Sequence, residues 1–467
     1  MGAYVTHSRI NMAKPDWALS KLRQMGYEPD TSMDSYQQTW WDWYTRQSEY
    51  YSQSFKLNNS AVPCERLSLS PAAMVAGEIP SLVMTEGTTI SSDDDALNDW
   101  IEATMPNFVD RQSDLLSNVF ALGAGAWAAD YSGMPGQEKT SIRAVNAWAT
   151  IPLAQGGCAF VSRVAVDNKR YDQLQIRCMS RETSTEHIYT YLFDTELHGQ
   201  AIELEDITQD LDTKQTLPTW ALIVPSKANV HNEYTTLGVS IVEDALDACR
   251  LVDEAFNQLY WQVRLSLPRV IADTTGLKQD PKTGKVEVTD TLNQILYAPI
   301  EAATATTPVT IYNPDTHVAD MVDALNNALG LLGQRTGFGV GYWSFNLNSG
   351  LKTATEVVAA NSVLMRTIRR HEHSIENSLR RLIQGAYSAE CALHGHMLAE
   401  LPGVTVIWDD SVISDDKADR DQMKDDISRG LCPKWRYLTT YYSMSEEDAR
   451  AFTGELSDVS ITPMVGE

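Results

Sequence analysis

Histidines, paired acids and cysteines are the residues of this sequence whose types could do chemistry unaided. His371-Glu372-His373 has the composition of a metal site. On a helix, residues two apart point to nearly opposite sides, so one ion cannot take both imidazoles. His394-Gly395-His396 falls where a helix should end and has no acidic residue at a ligand spacing. Asp409-Asp410, Asp415-Asp416 and Asp425-Asp426 could supply the two metal ions of a hydrolase. Adjacent side chains diverge, however, and the surroundings are acidic throughout, as on a solvated face. Asp93-Asp94-Asp95 could be imagined around a cation, but after Ser91-Ser92 it reads as a helix start, where acids complement the dipole. No G-x-S-x-G, Walker A or dinucleotide fingerprint is present, and Gly330-Leu331-Leu332-Gly333 is too short for a phosphate loop. Cys64, Cys158, Cys178, Cys249, Cys391 and Cys432 are scattered without a C-x-x-C pair and read as free thiols of a reducing compartment. The expectation is a protein with no catalytic constellation, no cofactor and no metal.

The elements around these residues are organised by residues 237–342. Ser240-Ile241-Val242-Glu243 has the spacing of a capping box. Val242, Ala245, Leu246, Cys249, Val252, Phe256, Leu259, Tyr260, Val263 and Leu267 then recur at i, i+3/i+4, i+7. That predicts a helix of about 27 residues and about 40 Å, stopped by Pro268. A strand-rich insertion follows: strands over 269–273, 286–288, 294–298 and 309–312, with a turn at 280–284. A second helix is expected over 316–332, apolar at Val318, Met321, Val322, Leu325, Leu329 and Leu332. A long helix, a strand-rich tip and a returning helix make a projecting arm. After it come Gly333, Gly337, Gly339, Gly341 and Gly350, a density that favours a mobile loop over 336–352. Thr353-Ala354-Thr355-Glu356 is a second capping box, opening a helix of around 40 residues towards Leu393.

Elsewhere, helices are expected over 16–25, 67–84, from Asp95 through Ile101, 109–122, 415–429 and 445–452. Short alternating runs over 127–131, 142–145, 159–166, 173–179, 187–192 and 221–224 predict antiparallel sheet, with a lone strand at 404–408. The whole is α+β. Residues 35–55 crowd Tyr36, Trp40, Trp41, Trp43, Tyr44, Tyr50, Tyr51 and Phe55 with only Arg46 and Lys56 as basic partners, which suits packing or a subunit contact better than base stacking. The net charge of −25 argues against whole-surface affinity for nucleic acid, though not against surrounding DNA without gripping it. No apolar run reaches membrane-spanning length, and residues 1–14 lack the apolar centre of a secretory signal.

Several segments, in order, resemble the portal proteins of tailed bacteriophages, in the branch found in siphophages. Met74-Val75-Ala76-Gly77-Glu78-Ile79-Pro80-Ser81-Leu82, Ala121-Leu122-Gly123-Ala124-Gly125-Ala126 and Leu237-Gly238-Val239-Ser240-Ile241 are similar to that family's early helix, its segment before the sheet and the start of its first stem helix. Lys352-Thr353-Ala354-Thr355-Glu356-Val357 is similar to its "KTATEV" run, and Trp408-Asp409-Asp410-Ser411 to its "F-D-D-S" strand end. Thr236 stands where proline is common. The resemblance implies a ring, usually a dodecamer, at one capsid vertex. Its parts would be a wing (1–236), stem helices (237–268 and 314–335) around a β-rich clip (269–313), a tunnel loop (336–353), a long wing/crown helix (354–400) and a C-terminal strand with crown helices (401–467). It implies DNA passage in packaging, retention and ejection, and docking of the terminase large subunit, a head-tail adaptor and the major capsid and scaffolding proteins. It places the protein in the virion after synthesis in the host cytoplasm, with no membrane.

On this resemblance, Tyr342, Trp343, Asn346, Asn348, Ser349, Gly350 and Lys352 would belong to the tunnel loop of the DNA channel. Lys278, Lys282 and Lys285 make a basic spot at the distal tip, a candidate docking surface. Two readings stand beside this one: a metal-dependent hydrolase or nuclease built on the acidic pairs, and another head-tail connector ring.

Overall fold

The structure is a computed structural model that describes residues 13–52, 54–57, 60–63, 66–85, 87–133, 136–166, 169–204, 208–266, 269–273, 297–300, 309–312, 315, 317–344, 354–408, 423–430, 432–442, 444 and 446–453. It opens with helices α1 (Asp16–Gln24) and α2 (Asp34–Tyr44) and the antiparallel pair β1 (Ser54–Leu57) and β2 (Ser60–Pro63). Next come α3 (Pro71–Val83), β3 (Thr89–Ser91), α4 (Asp95–Thr104) and α5 (Ser113–Leu122). Pro71 occupies the first turn of α3, where a missing N–H costs nothing. The Asp94 carboxylate accepts the Ala96 N–H at 2.9 Å and so starts α4. A single 3₁₀ turn at Val109–Arg111 precedes α5, shortening the helix expected over 109–122, and Gly123 closes α5 at φ +80°.

The expected alternating runs are strands: β4 (Gly125–Ser132), β5 (Lys139–Asn146), β6 (Thr150–Pro152), β7 (Cys158–Val166), β8 (Lys169–Met179), β9 (Glu186–Asp194), β10 (Asp210–Asp212) and β11 (Trp220–Ile223). They form two antiparallel sheets, ordered β10-β9-β8-β7-β6 and β11-β4-β5. Alternation decides which side each residue faces. Leu174 and Ile176 of β8 pack with Ala18, Leu19 and Leu22 of α1, whereas Arg177 turns to the other sheet. There, fully buried, it donates to the Ala129 carbonyl (2.8 Å), the Thr219 hydroxyl (3.0 Å) and the Asp130 carboxylate (2.8 Å), joining the two sheets.

The arm follows: one 3₁₀ turn at Glu243–Ala245, α6 (Leu246–Leu265), β12 (Arg269–Asp273), β13 (Tyr297–Ile300), β14 (Val309–Tyr312) and α7 (Val318–Thr336). β12 pairs with β13 in parallel and with β14 antiparallel, so the chain returns and α7 runs back along α6. Gln262 near the end of α6 donates to the Asp315 carbonyl, just before α7. Helix α8 (Ala354–Leu393) spans 40 residues, as the pattern predicted. β15 (Thr405–Ile407) pairs antiparallel with β3, more than 300 residues earlier in the chain. The chain then forms α9 (423–428), α10 (Lys434–Tyr442) and α11 (Glu446–Thr453). One core unites the body and the root of the arm: Trp40, Val75, Ile79, Leu116, Phe120, Val252, Leu329, Leu332, Ile375 and Leu382.

Three expectations are corrected. The first arm helix has 20 residues, because the anticipated capping box does not form. The Ser240 hydroxyl engages the Phe120 carbonyl, and the Glu243 carboxylate is held by the Trp40 indole N–H and by His231 (2.6 Å). The helix expected from Leu67 starts only at Pro71, because residues 67–69 are bound to α6. Helix α10 was not anticipated; its Trp, Tyr and Thr residues give no clean apolar rhythm. The expected turn at 280–284, the strand at 286–288 and Thr353, which opens the second capping box, lie outside the described residues.

Candidate functional site

The apparent metal motif comes apart in the fold. His371 is buried, edge-on to Phe120, and its Nδ1 accepts the Ser226 N–H at 3.1 Å. Burial, with Arg370 and Lys227 nearby, pushes it down to about 4, so the ring is neutral at pH 7. His373 lies on the exposed side of the same helix. His394 bonds the Glu138 carbonyl (2.8 Å), and Asp425 pairs with Arg429 one turn on (2.6 Å). Asp409, Asp410, Asp415 and Asp416 lie outside the described residues. Among the described residues no group of His, Cys, Asp or Glu is placed to hold a metal ion. Cys158, Cys178, Cys249, Cys391 and Cys432 are free thiols. No described helix is long and apolar enough to cross a membrane.

The root of the arm carries a polar anchor that sequence reasoning missed. Asp253, fully buried on α6, accepts from the Tyr51 hydroxyl (2.6 Å), the Ser68 hydroxyl (2.7 Å) and the Leu69 N–H (2.9 Å). Glu254 takes the Tyr50 hydroxyl (2.9 Å) and Arg66 (2.8 Å), whose guanidinium lies 4.2 Å from the Tyr50 ring centre. Asn257 holds both the N–H and the carbonyl of Leu67. Burial pushes the Asp253 carboxyl up despite these donors, and burial with the Glu254 bond pushes Tyr50 up to about 12. Within the aromatic stretch Trp40 is fully buried, and Trp43 stacks on Tyr50 at 5.7 Å. The available signal was weak, Asp253 and Asn257 lying one turn apart among the apolar positions Cys249, Val252 and Phe256; their partners are about 190–200 residues away.

After α7 the chain folds back on the helix. Gly337, at φ +84°, caps it, and the N–H groups of Phe338 and Gly339 both bond the Gly333 carbonyl (2.9 and 3.0 Å). The Gly339 carbonyl oxygen lies 2.1 Å from where a Cβ on Gly333 would sit; the Val340 side chain lies a looser 3.0 Å from the corresponding point on Gly330. Tyr342 and Trp343, from the predicted tunnel loop, pack with Phe338 (ring centres 4.9 and 5.3 Å), and the Tyr342 hydroxyl bonds Glu78 of α3. Of the glycines here, Gly333 permits a close backbone approach and Gly337 a helix cap. Asn346, Asn348, Ser349, Gly350 and Lys352 lie outside the described residues, as do Lys278, Lys282 and Lys285.

The sequence pattern described as "Phage portal protein, SPP1 Gp6-like" matches residues 38–434. The chain belongs to this family of phage portal proteins. The match runs from within α2 to the first residue of α10, and so takes in both sheets, the arm with its anchor, the turn after α7 and all of α8. A portal protein is a structural component of the particle's head-tail junction. No curated protein matches the chain. Among solved structures, the neck of a native GTA particle, computed with C12 symmetry, aligns at 10% identity over 82% of this chain and 89% of that chain, with a TM-score of 0.33.

Proposed function

We propose that this portal assembles as a ring, a dodecamer by family resemblance, that forms the DNA channel at a unique capsid vertex. The observation that carries the reading is the arm: two helices running back along each other, closed by paired strands and rooted in the body through Asp253. In this reading the wing is 1–236, the stem 237–268 and 314–335, which take in α6 and all of α7 but its last residue, the clip 269–313, and the C-terminal strand with the crown helices 401–467. Helix α8, within 354–400, joins wing to crown. The tunnel loop, 336–353, is rooted by Tyr342 and Trp343 and reaches the channel through Asn346, Asn348, Ser349, Gly350 and Lys352. Lys278, Lys282 and Lys285 contribute to docking of the terminase large subunit and the head-tail adaptor. The major capsid and scaffolding proteins are the other contacts.

A dozen copies at −25 each give roughly −300 per ring, so the wall repels DNA on average and friction stays low. Genome packaging, retention and ejection through such a conduit need no turnover by the portal. Electron micrographs of purified particles, with native mass, test the proposal. A ring of about 600 kDa with an axial hole is expected from a 52.0 kDa chain. A small oligomer, or a ring without a hole, refutes it.

A further inference from the structure

Helix α8 carries a cationic stripe on this acidic protein. Arg366, Arg369, Arg370, His373 and Arg381 are all exposed, while Leu364, Ile368, His371, Ile375 and Leu379 on the other side are buried. At 100° per residue the exposed five fall within about 120° of the helix circumference and extend for about 22 Å. A matching anionic face exists on α4. Asp95, Asp99 and Glu102 are exposed at i, i+4 and i+7, and α4 contains no basic residue. Arg366, Arg370 and His373 have the same i, i+4, i+7 spacing. Among the described residues, none of these six makes an ion pair within the chain.

The two faces cannot meet in one subunit. Trp100 of α4 donates to Glu390 (2.8 Å), so α4 sits at the far end of α8, and Arg370 is about 30 Å back along that helix. Helix α4 is itself only about 15 Å long. A surface that complements another, separate surface of the same molecule makes a head-to-tail contact, which closes into a ring when the rotation allows.

We infer that the arginine stripe of α8 docks on the acidic face of α4 in a second copy of this chain, fixing the order of subunits around the ring. The inference rests on the portal reading for the ring and adds which faces meet. DNA phosphate would satisfy the arginines equally well but leaves the matched acidic face without a role.

The test uses two full-length variants, Arg366→Glu/Arg370→Glu and Asp99→Lys/Glu102→Lys, with ring content read by native mass and micrographs. Each alone is expected to need about tenfold or more higher protein concentration to assemble than the unaltered chain. Mixed one to one, they regain opposite charges at every contact and should form alternating rings, which also proves both are folded. In the unaltered chain, assembly through this contact should weaken as salt rises.

Normal assembly of the arginine variant alone overturns the inference, and overturns it in favour of DNA if that variant has also lost salt-dependent binding to duplex DNA. Failure of the mixture to assemble, with both variants native by circular dichroism, overturns it too. If the unaltered chain forms no ring at all, the portal reading itself fails. If it does form a ring but the variants behave like it, only this contact is wrong.

Discussion

Two glycine-to-alanine changes, both within helices, should move stability in opposite directions. Replacing an unhindered helical glycine by alanine gains about 0.5–1 kcal/mol, because the unfolded chain has less freedom to lose. Gly77 in α3 is such a site: nothing lies within 4 Å of an added Cβ. Gly77→Ala should therefore stabilise the protein by about that amount. At Gly333 the same methyl would stand 2.1 Å from the Gly339 carbonyl oxygen, a backbone atom that no rotamer change can remove. Relief requires the turn over 337–343 to move off α7. That weakens two hydrogen bonds to the Gly333 carbonyl, each worth about 1 kcal/mol net, and part of the burial of Phe338, worth about 2 kcal/mol. After the helix-propensity gain, Gly333→Ala should cost about 1–3 kcal/mol. Urea unfolding of the unaltered chain and both variants under identical conditions reads the signs directly. If Gly333→Ala matched Gly77→Ala in raising the midpoint, the close approach of the turn to α7 would be wrong.

Three further outcomes are expected. His371 has a folded-state value near 4 against an ordinary 6.5, so the unfolded chain takes up the proton first. Its contribution is intact above about pH 6.5 and falls as pH drops towards 4, by about 3 kcal/mol in all; His371→Gln should flatten that part of the profile of urea midpoint against pH, and an unchanged slope would contradict its burial as a neutral base. Asp253→Ala strands three donors at the root of the arm and should cost about 3–5 kcal/mol, with Tyr51→Phe costing about 1 kcal/mol; equal midpoints for the two variants would dismiss the anchor. Shortening 346–350 should leave rings and procapsids countable at normal numbers while lowering DNA per particle, with Lys352→Glu milder; lost rings with normal DNA per particle would make the segment a structural joint.

Much of this protein was legible in its sequence because the deciding interactions are local. Alternation over two residues marks β4, β5, β7, β8, β9 and β11, since each strand's two faces meet different environments wherever it pairs. The apolar rhythm from Leu364 to Ala386 gave α8, and Gly123 and Gly26 stand where helices end. The family too was readable, because runs such as Lys352–Val357 are short and specific. Tertiary structure decided the rest, wherever a side chain had a choice of partner. Glu243 has the spacing of a capping box, yet Trp40 and His231 hold its carboxylate, and the helix begins three residues later. Gly333 and Gly339 read as slack in the sequence but allow one backbone to lie against another. Nothing local in the sequence marks Asp253 as buried; Tyr51 and Ser68, far away in the chain, solvate it instead of water. The spacing of Arg366, Arg370 and His373 was always in the sequence. That they face outward, with Arg370 about 30 Å along α8 from the residue that holds α4, is a fact of packing: the core claims the opposite side of α8, and α4 is committed to its other end.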